Sequence, residues 1–134
     1  MFSLFVLACS TPEITAFPSS INFGEVNFRE TLPPEGYAVQ DLQLKNTGTI
    51  DTTLSLVEAD ELRLCFDGIE AIPSNLSELE PEATFTLRVG VCDYIEENAE
   101  RDRELTGVLF FELDGQHNLE VPWSFTPVLE QPEQ

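Results

Sequence analysis

The sequence has few basic residues and little with which to bind an anion. Among its 134 residues, six Lys and Arg stand against 25 Asp and Glu, which gives a net charge of −19. Such a charge repels the phosphates of nucleic acids and anionic lipid headgroups, so we expect no nucleic-acid partner. The charge also favours solubility and suppresses self-association.

The sequence also lacks catalytic motifs. Its single histidine, His117, lies beside an Asp-Gly turn, where a solvated side chain is expected instead of a general base. The chain contains no GxSxG nucleophile elbow, no HExxH zinc motif and no glycine-rich phosphate loop. Carboxylates are so numerous that the pairs a glycosidase needs would arise by chance. We therefore predict a protein that is not an enzyme and needs no cofactor.

Long hydrophobic runs are missing as well, since no segment approaches the roughly 18 apolar residues of a transmembrane helix. An apolar stretch does occupy residues 1–8, and it ends with Ala8 before Cys9. This pattern resembles a bacterial lipobox, in which the apolar run is a signal segment and the cysteine carries the lipid. The resemblance implies a lipid anchor at Cys9, a linker over residues 9–12 and an outer-membrane lipoprotein of the cell envelope. The alternative is a short hydrophobic first strand with a buried free thiol.

Only three cysteines are present. If Cys9 is lipidated, Cys65 and Cys92 remain in an oxidising compartment, where such a pair tends to form a disulfide. The bridge would enclose about 28 residues and stabilise the fold by about 3 to 4 kcal/mol on the chain-entropy estimate. Two separate buried thiols are the alternative. A zinc site is disfavoured, because the chain has no CxxC and a single histidine.

One polar segment, residues 93–104, concentrates carboxylates, whose oxygens are the ligands that calcium prefers. The candidate calcium ligands are Asp93, Glu96, Glu97, Glu100, Asp102 and Glu104. Their spacing matches no known calcium loop, and Arg101 and Arg103 lie among them. We favour a solvated acidic loop and keep calcium binding as the alternative.

Elsewhere the chain consists of short runs in which apolar and polar residues alternate, bounded by turn residues, which is typical of an antiparallel all-β domain. The clearest run covers residues 84–91, where Phe85, Leu87, Val89 and Val91 share one face. About seven strands are predicted, over residues 21–26, 37–45, 52–57, 61–66, 84–91, 105–113 and 118–125. This number and spacing indicate a sandwich of two packed sheets.

Four details refine the sandwich. Asp114-Gly115 predicts a tight hairpin turn. Pro122 implies a sheet edge or a bulge within the last strand. Val108 and Phe110 lie opposite the core-facing residues of their run, which indicates partial cover on both faces. Residues 77–83 are interpreted as a turn.

The residues resemble the immunoglobulin-like ASH domain, named for the ASPM, SPD and Hydin proteins, and its bacterial form, the choice-of-anchor D domain. The resemblance rests on residues 20–26 as the opening strand, on residues 42–49 as a strand ending in Asn-x-Gly, and on the proline turn within residues 79–87. Gly107 with the run after it and residues 119–122 resemble the closing hairpin. Glu82 occupies a position where the family usually has glycine. The resemblance covers residues 13–126, leaves 127–134 as a tail, and implies an immunoglobulin-like β-sandwich with structural or binding work.

The favoured hypothesis is a lipid-anchored module of the cell envelope that binds an unknown protein partner through an exposed sheet edge or sheet face. A calcium- or ligand-binding surface domain that uses the acidic loop is the first alternative. A soluble intracellular interaction module is the second.

Overall fold

The computed structural model describes residues 11–28, 38–60, 63–69, 71–92 and 103–129. Strands are the only regular secondary structure in the described part of the chain, as the alternating pattern predicts. The strands are β1 (Ile14–Phe17), β2 (Ile21–Phe28), β3 (Ala38–Asn46), β4 (Thr52–Glu58), β5 (Leu64–Phe66), β6 (Ser74–Leu79), β7 (Thr84–Val91), β8 (Leu105–Leu113) and β9 (His117–Leu129).

The strands form two sheets that pack face to face. The four-stranded sheet has the order β1-β3-β7-β5, and the five-stranded sheet has the order β2-β9-β8-β4-β6. Neighbouring strands run antiparallel except β2 and β9, which are parallel. The all-β sandwich prediction is confirmed, with the one parallel pair as a departure from a purely antiparallel arrangement.

The core lies between the sheets and follows from period-two alternation. In β8, Leu109, Phe111 and Leu113 are buried, and in the neighbouring strand β9 Val121, Trp123 and Phe125 are buried on the same face of the sheet. Each residue on these inner faces therefore removes its apolar surface from water, which is the main favourable term in folding. The residues of β7 that were predicted to face inward also lie in the core. Leu87, Val89 and Val91 are buried, and Phe85 is partly buried and packs against the core.

Two strands were not predicted. β1 is only four residues long, and β6 lies partly over the segment interpreted as a turn. In β6 the pairing with β4 shifts register around Leu76, so the alternation in sequence is interrupted there. The interpretation of residues 77–79 as a turn is therefore wrong, whereas Glu80 to Ala83 do form the turn before β7.

Two turn residues have roles that the sequence did not reveal. Gly48 follows β3, and its backbone does not have a positive φ. A Cβ at Gly48 would instead lie 3.1 Å from the backbone nitrogen of Glu13, so glycine allows β1 to approach closely. Glu82, which replaces the usual glycine, has a φ of 74°, the left-handed conformation that glycine adopts without strain.

Two other local predictions are confirmed, one for a hairpin turn and one for a proline at a sheet edge. Asp114 and Gly115 both have positive φ, and the amide of Gln116 donates to the carbonyl of Leu113. These features match a type I′ hairpin turn. Pro122 comes one residue before Trp123, at which the pairing of β9 with β2 begins, so it lies at a local edge of the sheet.

Candidate interaction surface

The structure joins Cys65 and Cys92 in a disulfide, as predicted, with their Cα atoms 5.8 Å apart. Cys65 lies in β5 opposite Gly90 of β7, and Cys92 follows the end of β7. The bond therefore ties the three-residue edge strand β5 to the strand beside it.

The other candidate residues lie mostly outside the described residues. Cys9 and the carboxylates at positions 93, 96, 97, 100 and 102 are among these, so the lipid anchor and the calcium loop stay predictions. His117 is exposed at the start of β9, as expected. In the described residues, no group of three or more His, Cys, Asp or Glu could hold a metal ion. Nor do these residues include a helix of the length and apolarity that crossing a membrane requires.

One candidate binding surface is the outer face of the five-stranded sheet. Leu109, Phe111 and Leu113 point into the core, so alternation places Val108 and Phe110 on the opposite face, where both are half-buried. Val108 pairs with Pro122 across the strands, and Val57 of β4 lies at a register shift beside Phe110. We call Val57, Val108, Phe110 and Pro122 the outer strip, because they form an apolar row across three strands.

Carboxylates surround Phe110 within the outer strip. Glu120 is its cross-strand partner on β9, Glu58 is its partner on β4, and Glu112 lies two residues along β8 on the same face. Directly opposite residues have Cβ atoms about 4.5 to 5.5 Å apart. Glu58, Glu112 and Glu120 therefore form an acidic rim around the ring. The composition of the rim was not foreseen, although the off-core parity of Val108 and Phe110 marked this face.

Two grooves lie on the same face, one on each side of Phe110. The larger, of about 710 Å³, lies between β6, β4 and β8 and is lined by Ser55, Asn75, Glu112 and Asp114 among others. The smaller, of about 430 Å³, lies at the β9 side and its lining includes Ser20, Thr106, Val108, Pro122 and Ser124. Val57 of the outer strip lines the larger groove, Val108 and Pro122 line the smaller, and Phe110 lies between the two.

The larger groove has a fixed polar lining. The hydroxyl of Ser55 and Oδ1 of Asn75 form a 2.6 Å hydrogen bond between β4 and β6. Asp114 Oδ1 accepts a 2.8 Å hydrogen bond from the amide of Thr53. These bonds hold the groove's side chains and the hairpin turn in place, so a ligand would meet a preformed surface.

The outer face of the four-stranded sheet has a different character. Its basic side chains are paired, Arg88 with Asp41 at 3.1 Å and Lys45 with Glu82 at 3.4 Å. The face also carries the polar side chains of Thr15, Gln43, Thr84 and Thr86. At the end of β1 it carries Phe17, which is 51% exposed. Its charges compensate each other, whereas the outward residues of β4, β8 and β9 include acidic side chains and no Lys or Arg.

The sheet edges are poor sites for strand addition, because each is short, irregular or occupied. β1 has four residues and is followed by Pro18, and β5 has three residues. β2 shifts register after Asn22, and the carbonyl of Asn22 accepts a 2.7 Å hydrogen bond from Gln40 Nε2. β6 is interrupted at Leu76. Of the two docking routes predicted, the sheet face is the better supported.

The chain was compared with protein families, curated proteins and solved structures. No protein-family model matches the sequence, and no curated protein matches it. Solved structures do match, among them the periplasmic chaperone SfaE, with a TM-score of 0.53, 16% identity and coverage of 90% of this chain and 61% of that one. The chain has an immunoglobulin-like β-sandwich fold. It spans about three fifths of the length of SfaE.

Two further structures share the fold at lower similarity. The ASH/PapD-like domain 7 of human CEP192 has a TM-score of 0.49 and 15% identity, with coverage of 91% of this chain and 88% of that one. The CsuC–CsuE chaperone–tip adhesion subunit complex of Acinetobacter baumannii has a TM-score of 0.45 and 13% identity, with coverage of 88% and 52%. The immunoglobulin-like sandwich expected from the sequence is confirmed. At these identities the likeness concerns the fold alone.

Proposed function

We propose that this chain is a non-enzymatic protein-interaction module, anchored to the bacterial cell envelope by a lipid on Cys9. The observation that carries the interaction role is the outer strip, an apolar row inside an acidic rim on the outer face of the five-stranded sheet. An apolar centre with a polar surround is the usual anatomy of a protein interface. Half-buried Phe110 at its centre is the aromatic anchor that such interfaces favour.

Three features support the proposed location in the cell envelope. The apolar run over residues 1–8 before Cys9 resembles a lipobox. The disulfide between Cys65 and Cys92 suits an oxidising compartment such as the bacterial periplasm. SfaE, whose fold is similar, is described as a periplasmic chaperone. A chain anchored there would present its sheet face to partners in the envelope.

The binding role is tested by photo-crosslinking in the native host. A benzophenone amino acid is placed at Phe110, and in a control at Thr86, an exposed position on the four-stranded sheet. We expect a discrete crosslinked product from position 110 and none from position 86. Equal products from both positions, or none from either, would refute the sheet face as the interaction surface.

The anchor is tested separately, by intact mass and by membrane fractionation of a chain expressed with its native upstream sequence. We expect the chain to begin at Cys9 with the added mass of acyl chains, and Cys9→Ser to release it from the membrane fraction. An unmodified chain that stays soluble would remove the envelope part of the proposal and leave the interaction role standing.

A further inference from the structure

Any partner that covers the outer strip must also contact the acidic rim. A partner that buries Phe110 must also remove water from the carboxylates of Glu58, Glu112 and Glu120. Burial of an ionised carboxylate without a compensating partner is strongly unfavourable. In the described residues none of the three takes part in an ion pair. The compensating charge therefore has to come from the partner.

We propose that the partner is a basic, extended protein segment that seats an Arg or Lys side chain on the ring of Phe110. This inference rests on the proposed function and gives the partner its chemistry. A cation over an aromatic face is attracted by the ring quadrupole. The same cation would lie within reach of carboxylates on three sides. Arginine suits the position best, because its planar guanidinium both stacks on rings and binds carboxylates in a fork.

Anionic partners and neutral apolar partners fit this surface less well. Nucleic acids and anionic lipid surfaces are repelled by this face, whose outward residues on β4, β8 and β9 include no Lys or Arg. A neutral apolar partner would leave the acidic rim desolvated without compensation. Charge complementarity thus selects a basic protein segment.

The two grooves set the length of the segment. They lie on opposite sides of Phe110, and together they reach from β6 to the start of β2. Five strands at about 4.8 Å spacing span about 19 Å, and the grooves are also displaced along β8, from Thr106 to Glu112, by about 20 Å. An extended chain covers the resulting diagonal of about 28 Å in about eight residues. A segment of this length can lay its ends in the two grooves while its central cation covers Phe110.

The test uses a fluorescein-labelled nine-residue peptide that alternates Arg with Val and Thr, and a second peptide in which Glu replaces each Arg. Binding to the full chain is measured by fluorescence anisotropy at low salt and at 0.3 M salt. We expect binding of the Arg peptide only, weakened by salt because the contacts are electrostatic. Absence of binding by the Arg peptide at millimolar protein, or equal binding of the Glu peptide, would overturn the proposal.

Variants separate this site from general attraction to an acidic protein. Glu112→Gln combined with Glu120→Gln removes two rim charges, and Glu82→Gln combined with Asp41→Asn removes two charges from the opposite side of the sandwich. We expect affinity for the Arg peptide to fall about 5- to 20-fold for the first pair and less than about 2-fold for the control. Equal losses would show non-specific attraction and overturn the proposal.

The role of the ring is measured with Phe110→Leu, which keeps an apolar side chain and removes the quadrupole. We expect affinity to fall about 2- to 5-fold, the range of an exposed cation–π contact. Unchanged affinity would remove the ring from the proposal. Circular dichroism melts of each variant report whether it is folded. If crosslinks from position 110 persist while the Arg peptide fails to bind, the interaction role stands and only the basic partner is refuted.

Discussion

Replacing Gly107 by alanine should destabilise the sandwich through one defined clash. Gly107 of β8 is the cross-strand partner of Trp123 in β9, and the indole lies directly over it. A Cβ at this position would come within 2.7 Å of the Cζ2, Cε2 and Nε1 atoms of Trp123. Ordinary van der Waals contact needs about 3.5 Å or more, so the ring would have to move by about 1 Å.

The ring has little room for that movement. Trp123 is 3% exposed and stacks on Phe125, with ring centroids 5.7 Å apart and planes 16° from parallel. Overpacking a well-filled core costs about 1 to 3 kcal/mol, whereas Gly→Ala within a strand otherwise gains about 0.5 to 1 kcal/mol. We expect Gly107→Ala to lower the free energy of unfolding by about 1 kcal/mol, the cost of overpacking less the gain in the backbone.

The assay is urea unfolding followed by circular dichroism, together with tryptophan emission. The chain contains a single tryptophan, so emission reports on this position alone and should shift to the red if the indole is displaced. The control background is Trp123→Phe, whose smaller ring lacks Cζ2 and also lacks Nε1, a buried donor without a hydrogen-bond partner in the described residues. There Gly107→Ala should cost less than about 0.5 kcal/mol. An equal cost in both backgrounds would refute the clash.

Three further changes have defined outcomes. Replacing Cys65 and Cys92 by serine should lower the free energy of unfolding by about 3 to 4 kcal/mol, and a loss below about 1 kcal/mol in denaturant titrations would contradict the loop-entropy argument. Asn46→Ala should cost about 2 to 4 kcal/mol in the same titrations, because this buried amide donates to two carbonyls and accepts from one amide; a neutral result would show that those bonds contribute nothing net. Glu82→Gly should raise the melting temperature by relieving the left-handed conformation, with a gain of about 0.5 to 1 kcal/mol, whereas Glu80→Gly should not; equal effects would refute the strain.

The strands that the sequence predicted well are those whose alternation is local and complete. β7 has the predicted bounds, because Phe85, Leu87, Val89 and Val91 mark one face without interruption. β6 was missed because serine, asparagine and glutamate favour turns over strands, and because its register shift breaks the period of two. The parallel pairing of β2 with β9 joins distant parts of the chain, and no local pattern encodes such a pairing.

The same distinction applies to single residues. Asn46 and Gly48 were recognised as the Asn-x-Gly end of a strand, but their roles depend on contacts with residues elsewhere in the chain. The amide of Asn46 bonds the carbonyls of Ile50 and Leu79, and Gly48 makes room for Glu13. Sequence patterns specify a residue's own conformational preference, whereas these contacts exist only once the strands are assembled.

The candidate surface follows from the apolar residues of β8 that do not face the core between the sheets. Burial of Leu109, Phe111 and Leu113 fully accounts for one face of β8, so the apolar residues at positions 108 and 110 contribute nothing to the core between the sheets. Large apolar side chains on an outward face are a solubility liability unless they are covered. In this chain of 25 acidic residues, the carboxylates around Phe110 limit that liability. The same carboxylates favour a partner that brings positive charge to this surface.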